Sequence, residues 1–117
     1  MKKIILSLLL FAVAQVSWAQ FILNAGKPVV LAYDKSEGMV VHTALELFTR
    51  DCQAVLSAPV QQDGKAGHIV IGTVGKSPLI AETGADVSVL EGKKQAFLLT
   101  VLPDGKLLVA GSDQYGT

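Results

Sequence analysis

The strongest constraint on the fold of this chain is the run "MVVHTALELFTRDCQAVL" (39–56). Val41, Ala44, Leu45, Phe48, Cys52 and Val55 recur at spacings of three and four and so share one stripe of a helix. His42, Glu46, Thr49, Arg50 and Gln53 fall on the opposite side. The run lies between two short β-branched stretches, "PVVLAY" (28–33) and "HIVIG" (68–72). An amphipathic helix between two strands has to bury its stripe against a sheet, which directs the chain to the α/β classes. Asp34 with Glu37 three residues on has the spacing of a capping box for this helix, with Ser36 as the other cap.

The rest of the chain reads as a small sheet with its connections. "QFILNAGK" (20–27) is a lead-in, and "SAPVQQDGKAG" (57–67) has the Pro, Gly and polar content of a loop. "KSPLIAETG" (76–84) predicts a short helical turn, with Ser77 as N-cap and Pro78 at the first helical position. "ADVSVLEGKK" is polar and irregular. "QAFLLTVL" (95–102) and "KLLVAG" (106–111) flank Pro103-Asp104-Gly105, a tight-turn signature, and predict a hairpin. Both arms are apolar on each face, so the hairpin is expected to be central and covered. The expected fold is a small α/β (α+β) sandwich: a mixed sheet of about four strands with helices packed on it.

Half of the residues are hydrophobic, but part of that share belongs to the first twenty. "MKKIILSLLLFAVAQVSWAQ" has a basic start, an apolar stretch from Ile4 to Val13, and the small residues Ser17 and Ala19 flanking Trp18. That is the layout of a secretory signal peptide over 1–19, with cleavage expected between Ala19 and Gln20. The apolar run is about half the ~20 residues that span a bilayer, which argues against an anchor. The product is expected to be exported, to the periplasm or the outside of the cell, and free of the membrane. Without Lys2 and Lys3 it keeps eight basic and ten acidic residues, a net charge of −2. No basic patch of the kind that binds phosphate backbones is left, so nucleic acid is not an expected partner. Cys52 is a lone cysteine on the apolar helix stripe, where it reads as a buried, inert thiol.

The candidate chemistry is thin. "IVIGTVGKSPLI" leads a strand into Gly-Lys-Ser, but a phosphate-binding loop needs a Gly five residues before Gly75, and Val70 stands there. Gly72 is too close, and Pro78 removes an amide such a loop uses. His42, four residues from Glu46, reads as part of a solvated helix face, and His68 as a structural residue at the start of a strand. The ten carboxylates sit mostly at helix surfaces, caps and turns, with none of the pairing that glycoside hydrolysis needs. No metal site, cofactor or catalytic residue is expected in this chain. Ser112 and Asp113, in the closing "GSDQYGT", are the two candidates for substrate binding, and both read more readily as helix caps at a strand-to-helix junction.

Two stretches carry a resemblance. "HIVIGTVGKSPLI" and "QAFLLTVLPDGKLLVAGSDQYGT", with the helix "MVVHTALELFTRDCQAVL" ahead of them, resemble the N-terminal region of family 115 glycoside hydrolases, the xylan α-1,2-glucuronidases. The resemblance covers roughly residues 21–117, and the "IGT-GKSPLI" and "AGSD--GT" pieces are its most specific parts. It implies an accessory domain of a large enzyme that removes glucuronic acid or its 4-O-methyl ether from xylan. This domain would resemble the one preceding the barrel in β-hexosaminidases, with the chemistry in a (β/α)-barrel downstream. Residues 20–117 would then be a domain cut short at its C-terminal end, its closing helix missing. Its partner would be its own barrel, and xylan-type saccharide would bind through the full-length enzyme. Family members often have basic residues where Gln114 and Tyr115 stand, which weakens any role of this turn in holding an anionic sugar. Two rivals are the equivalent domain of a β-hexosaminidase-like or other α-glucuronidase enzyme, and a free-standing exported carbohydrate-binding or interaction module. Phe48 and Phe97 read as core, leaving Phe21, Tyr33 and Tyr115 as a sparse platform for sugar stacking.

Overall fold

The computed structural model describes residues 20–64 and 67–117, so the expected signal peptide lies outside the described residues. Its elements are β1 (Val29–Tyr33), α1 (Met39–Leu56), β2 (Val60–Asp63), β3 (Ile69–Thr73), α2 (Pro78–Glu82), a 3₁₀ turn (Ser88–Leu90), β4 (Phe97–Val101) and β5 (Leu107–Gly111). The strands form one sheet in the order β2-β1-β3-β5-β4. β2, β1, β3 and β5 run parallel, and β4 is antiparallel to β5. The fold is a mixed α/β sandwich, as the periodicity predicts, with five strands rather than four.

The additional strand is β2, taken from the sequence as loop. "VQQD" carries almost no apolar signal because it is an edge strand whose side chains face water apart from half-buried Val60. It is held by backbone pairing to β1, Val29 opposite Val60 and Ala32 opposite Asp63. The Tyr33 hydroxyl also donates to Gln62 Oε1 at 2.7 Å.

Alternation along the strands divides the core between the two faces of the sheet. On one face Val29, Leu31, Ile69 and Ile71 pack against Val41 and Leu45 of α1. On the other Ala32, Val70, Leu108 and Ala110 pack against Leu79, Ile80, Leu90 and Leu102. Gly72 lets α2 lie close on β3: a Cβ there would meet Ser77 Cβ at 2.8 Å and Ile80 Cδ1 at 2.9 Å. Cys52 is buried under α1, and loss of hydration pushes its thiol pKa up, with neighbouring Asp51 adding to the shift.

Three expectations are corrected. The capping box is absent: Gly38 is the N-cap residue of α1. Asp34 Oδ1 instead accepts from the Ser36 N–H at 2.8 Å, which closes a local turn, and Glu37 points into the interior. The stripe of α1 is narrower than its apolar pattern: Val41, Leu45 and Cys52 are buried, but Phe48 and Val55 are exposed. The hairpin has the predicted turn, with Gly105 at φ 87° and the Leu102 N–H donating to Lys106 O at 2.8 Å. It is not central, however. β4 is an edge strand, and Phe97 and Leu99 are 67% and 58% exposed. Phe97, Leu99 and Val109 lie on the α1 side of the sheet, where the residues buried with Val41 and Leu45 of α1 are those of β1 and β3.

Candidate functional site

In sheets with parallel strands, ligands bind in the crevice beyond the C-terminal strand ends, so that end is the place to look. Here it gathers the loop 34–38 after β1, the loop 74–77 after β3 and the turn 112–117 after β5. At its centre is Glu37, only 5% exposed. Its Oε1 accepts from the Thr73 N–H and its Oε2 from the Thr73 hydroxyl, both at 2.8 Å. The Thr73 hydroxyl is also 2.8 Å from Thr117 Oγ1, which in turn donates to Asp113 O at 2.9 Å. Gln114 packs onto Gly38, where an added Cβ would meet its side-chain amide. Glu37 therefore joins the start of α1 to the end of β3, and Thr73 carries the link on to the turn 112–117 through Thr117.

Asp113 and Ser112, the two candidates from the sequence, are both engaged with backbone. Asp113 Oδ2 accepts from the Gln95 N–H at 2.9 Å, and Oδ1 from the N–H groups of Gly116 at 2.9 Å and Tyr115 at 3.1 Å. These bonds, that from Gln95 foremost, hold its pKa below the ordinary carboxylate value, and the charge of Lys94 works the same way. Thr117 N–H donates to Asp113 O at 3.0 Å. Asp113 thus has the full bonding of a helix N-cap: side chain to the second and third residues, carbonyl to the fourth. Ser112 does a different job. Its Oγ accepts from the Ala96 N–H at 3.0 Å and its N–H donates to Ala96 O at 2.9 Å, which extends the β4–β5 pairing.

The Gly-Lys-Ser loop is closed on itself. The Lys76 and Ser77 amides donate to Thr73 O, and the Val74 amide donates to Gly111 O, so these donors do not form an open cradle. Ser77 Oγ is buried without a partner. His42 Nε2 donates to Lys35 O at 3.2 Å, and its ring stands edge-on to Tyr33 with centroids 5.7 Å apart. His68 Nδ1 accepts from the Val30 N–H at 3.2 Å, which ties the start of β3 to β1. Among the described residues no three His, Cys, Asp or Glu side chains are grouped to hold a metal ion. Also among these residues, no helix is long and apolar enough to cross a membrane.

The site residue that sequence reasoning missed is Glu37. Its spacing from Asp34 suggested a cap, and only the approach of β3 to the loop reveals a buried carboxylate. A glycosidase needs two carboxyl groups open to a sugar and a water. Glu37 and Asp113 both have their oxygens occupied by donors of the chain itself.

No protein-family model and no curated protein matches the chain. Among solved structures, the family GH115 4-O-methyl-α-glucuronidase BtGH115A, with specificity for decorated arabinogalactans, superposes with a TM-score of 0.82. It is 52% identical over 84% of this chain. The chain matches a domain of a family GH115 glycoside hydrolase. It spans 13% of the length of that enzyme. The GH115 match agrees with the resemblance carried by the strand, hairpin and helix motifs.

Proposed function

We propose that this chain is an accessory domain of an exported family GH115 glycoside hydrolase that removes α-1,2-linked glucuronic acid, or its 4-O-methyl ether, from a plant polysaccharide. The observation that carries this reading is the 52% identity to a 4-O-methyl-α-glucuronidase of which the chain covers a small part. The domain stands N-terminal to a catalytic barrel, and its work is to pack against that barrel and steady it. Acid and base carboxylates belong to the barrel loops. The engaged oxygens of Glu37 and Asp113 support a structural role for both. The resemblance in the sequence points to xylan as the polymer, whereas the matched enzyme acts on decorated arabinogalactans.

The free-standing binding module is the other reading, and exposed Phe97 and Phe48 enlarge its aromatic set beyond the sequence expectation. Those rings sit beside Leu99, Val109 and Ala44, an aliphatic setting suited to protein contact rather than sugar stacking. The test is release of glucuronic acid from glucuronoxylan and from arabinogalactan. The parent enzyme is expected to release it from one of the two, and purified residues 20–117 from neither. Release by the short chain would overturn the accessory role.

A further inference from the structure

The two edges of this sheet are unlike. β2, at one edge, is short and polar, with Gln61, Gln62 and Asp63 turned to water. Shortness and charge at an edge guard it against pairing with a foreign strand. β4, at the other edge, has no such guard. "FLLTV" holds no charge and no proline, and it pairs with β5 without a bulge, from Phe97 opposite Gly111 to Val101 opposite Leu107. Its open side also presents a regular row of backbone groups. In an antiparallel pair, hydrogen-bonded residues alternate with residues whose N–H and C=O point away. The Ser112 N–H donates to Ala96 O and the Leu102 N–H to Lys106 O, so the even-numbered residues from 96 to 102 face β5. Gly111 O and the Leu107 N–H, opposite Phe97 and Val101, turn instead to Val74 and His68 beside β3, which agrees. Phe97, Leu99 and Val101 therefore hold their N–H and C=O groups outward, where β4 has no neighbouring strand among the described residues.

That row is complementary to itself. Turned about a two-fold axis at Leu99, a second copy of β4 lies antiparallel to the first. Leu99 then stands opposite Leu99, and Phe97 opposite Val101 of the other copy, so every outward donor meets an acceptor. The side chains match as well. Phe97 and Leu99, 67% and 58% exposed, share the α1 side with Val101, and directly opposed residues lie on one face. The ends carry opposite charge. Lys93 and Lys94 precede β4 and Asp104 follows it, its bond to Lys106 being a long 3.7 Å and open to water. The same pairing brings Lys94 of each copy toward Asp104 of the other. We propose that β4 is a homotypic docking edge, where two copies of this domain pair antiparallel about Leu99 into one continuous sheet. A strand of unrelated sequence would meet the backbone groups but neither the apolar row nor the charged ends. The inference stands apart from the enzymatic reading, because it concerns the strand edge and its test uses no saccharide.

Cysteine cross-linking of the full polypeptide that carries this domain tests it, with the unsubstituted protein as background and Cys52 buried. Residues opposed in such a pair have Cα atoms about 5.5 Å apart, within the reach of a disulfide. Leu99→Cys is therefore expected to give a disulfide-linked dimer under mild oxidation. Phe97→Cys places its two thiols four residues out of register, about 14 Å apart at ~3.4 Å per residue, and is expected to link at least about fivefold less. Adding Val101→Cys to Phe97→Cys is expected to restore the link. The exposure of Phe97 and Leu99 lets these positions change without opening the core. Equal yields from Leu99→Cys and Phe97→Cys mean random collision or another register, and overturn the proposal. No link above background at Leu99 or in the double variant means that the edge is bare or taken by another segment, and overturns it too.

Discussion

Glu37 ties the start of α1 to the end of β3, its two oxygens meeting the amide and the hydroxyl of the same residue, Thr73, whose hydroxyl also meets Thr117. Glu37→Ala takes the acceptor from that amide and leaves the hydroxyl only its contact with Thr117, at a cost of roughly 1–3 kcal/mol for a buried group that loses its partner. Glu37→Gln keeps an acceptor for the amide and is expected to cost less. Urea denaturation of the two variants checks the order, and equal stability of Glu37→Ala and the parent sequence would contradict the staple. Asp113 gives the pH dependence. Its folded-state pKa lies below the ordinary 3.8, so the stability it contributes is present above about pH 4 and is lost as pH falls through the lower folded value. Asp34 and Asp86 act with the same sign, each lowered by hydrogen bonds from Ser36 and Ser88. Asp113→Asn is therefore expected to lie below the parent sequence in stability at neutral pH, with the gap closing as pH drops below 4. Melting curves between about pH 2 and pH 7 would show it. A gap that stays constant with pH would mean that the charge of Asp113 is not what the turn uses.

At the scale of elements, the packing of α2 on β3 depends on one missing side chain. The methyl of Gly72→Ala would have to enter the space held by Ser77 and Ile80, and overpacking of this kind costs about 1–3 kcal/mol. The expected result is a lower denaturation midpoint with an unchanged slope. No loss of stability would mean that α2 shifts freely, contrary to the burial of Leu79 and Ile80. α1 shows how far periodicity can be taken. The apolar pattern of Val41, Leu45, Phe48, Cys52 and Val55 located the helix correctly, yet only part of that stripe is covered. Periodicity records apolar side chains whether or not a neighbour covers them, and Phe48 lies on the edge of what this sheet and helix bury.

For the whole molecule, the two faces of the sheet are unequal. One is closed by α2, the 3₁₀ turn and Leu102, while the other has α1 over β1 and β3 and an open lane over β5 and β4. An open apolar lane weakens cooperativity, because strands covered on one side only can loosen before the rest. Purified residues 20–117 are expected to unfold over a broad temperature range and to bind a hydrophobic dye before melting. A sharp transition without dye binding would show that the half-covered sheet is sufficient.

The sequence by itself determined the class of fold, the long helix, β1, β3, the hairpin turn and the kinship to GH115 enzymes. These are written in local periodicity, in turn chemistry and in contiguous motifs such as "IGTVGKSPLI" and "LLVAGSD". It did not reveal β2, whose polar residues are held by backbone pairing rather than by burial. It misplaced the hairpin, because apolar content does not distinguish a strand covered on both faces from an edge strand with an exposed apolar face. It took Glu37 for a cap. Tertiary structure alone decided these points, since each depends on which segment comes to lie beside which: β3 beside Glu37, β1 beside β2, and β4 at the sheet edge with Phe97 and Leu99 exposed.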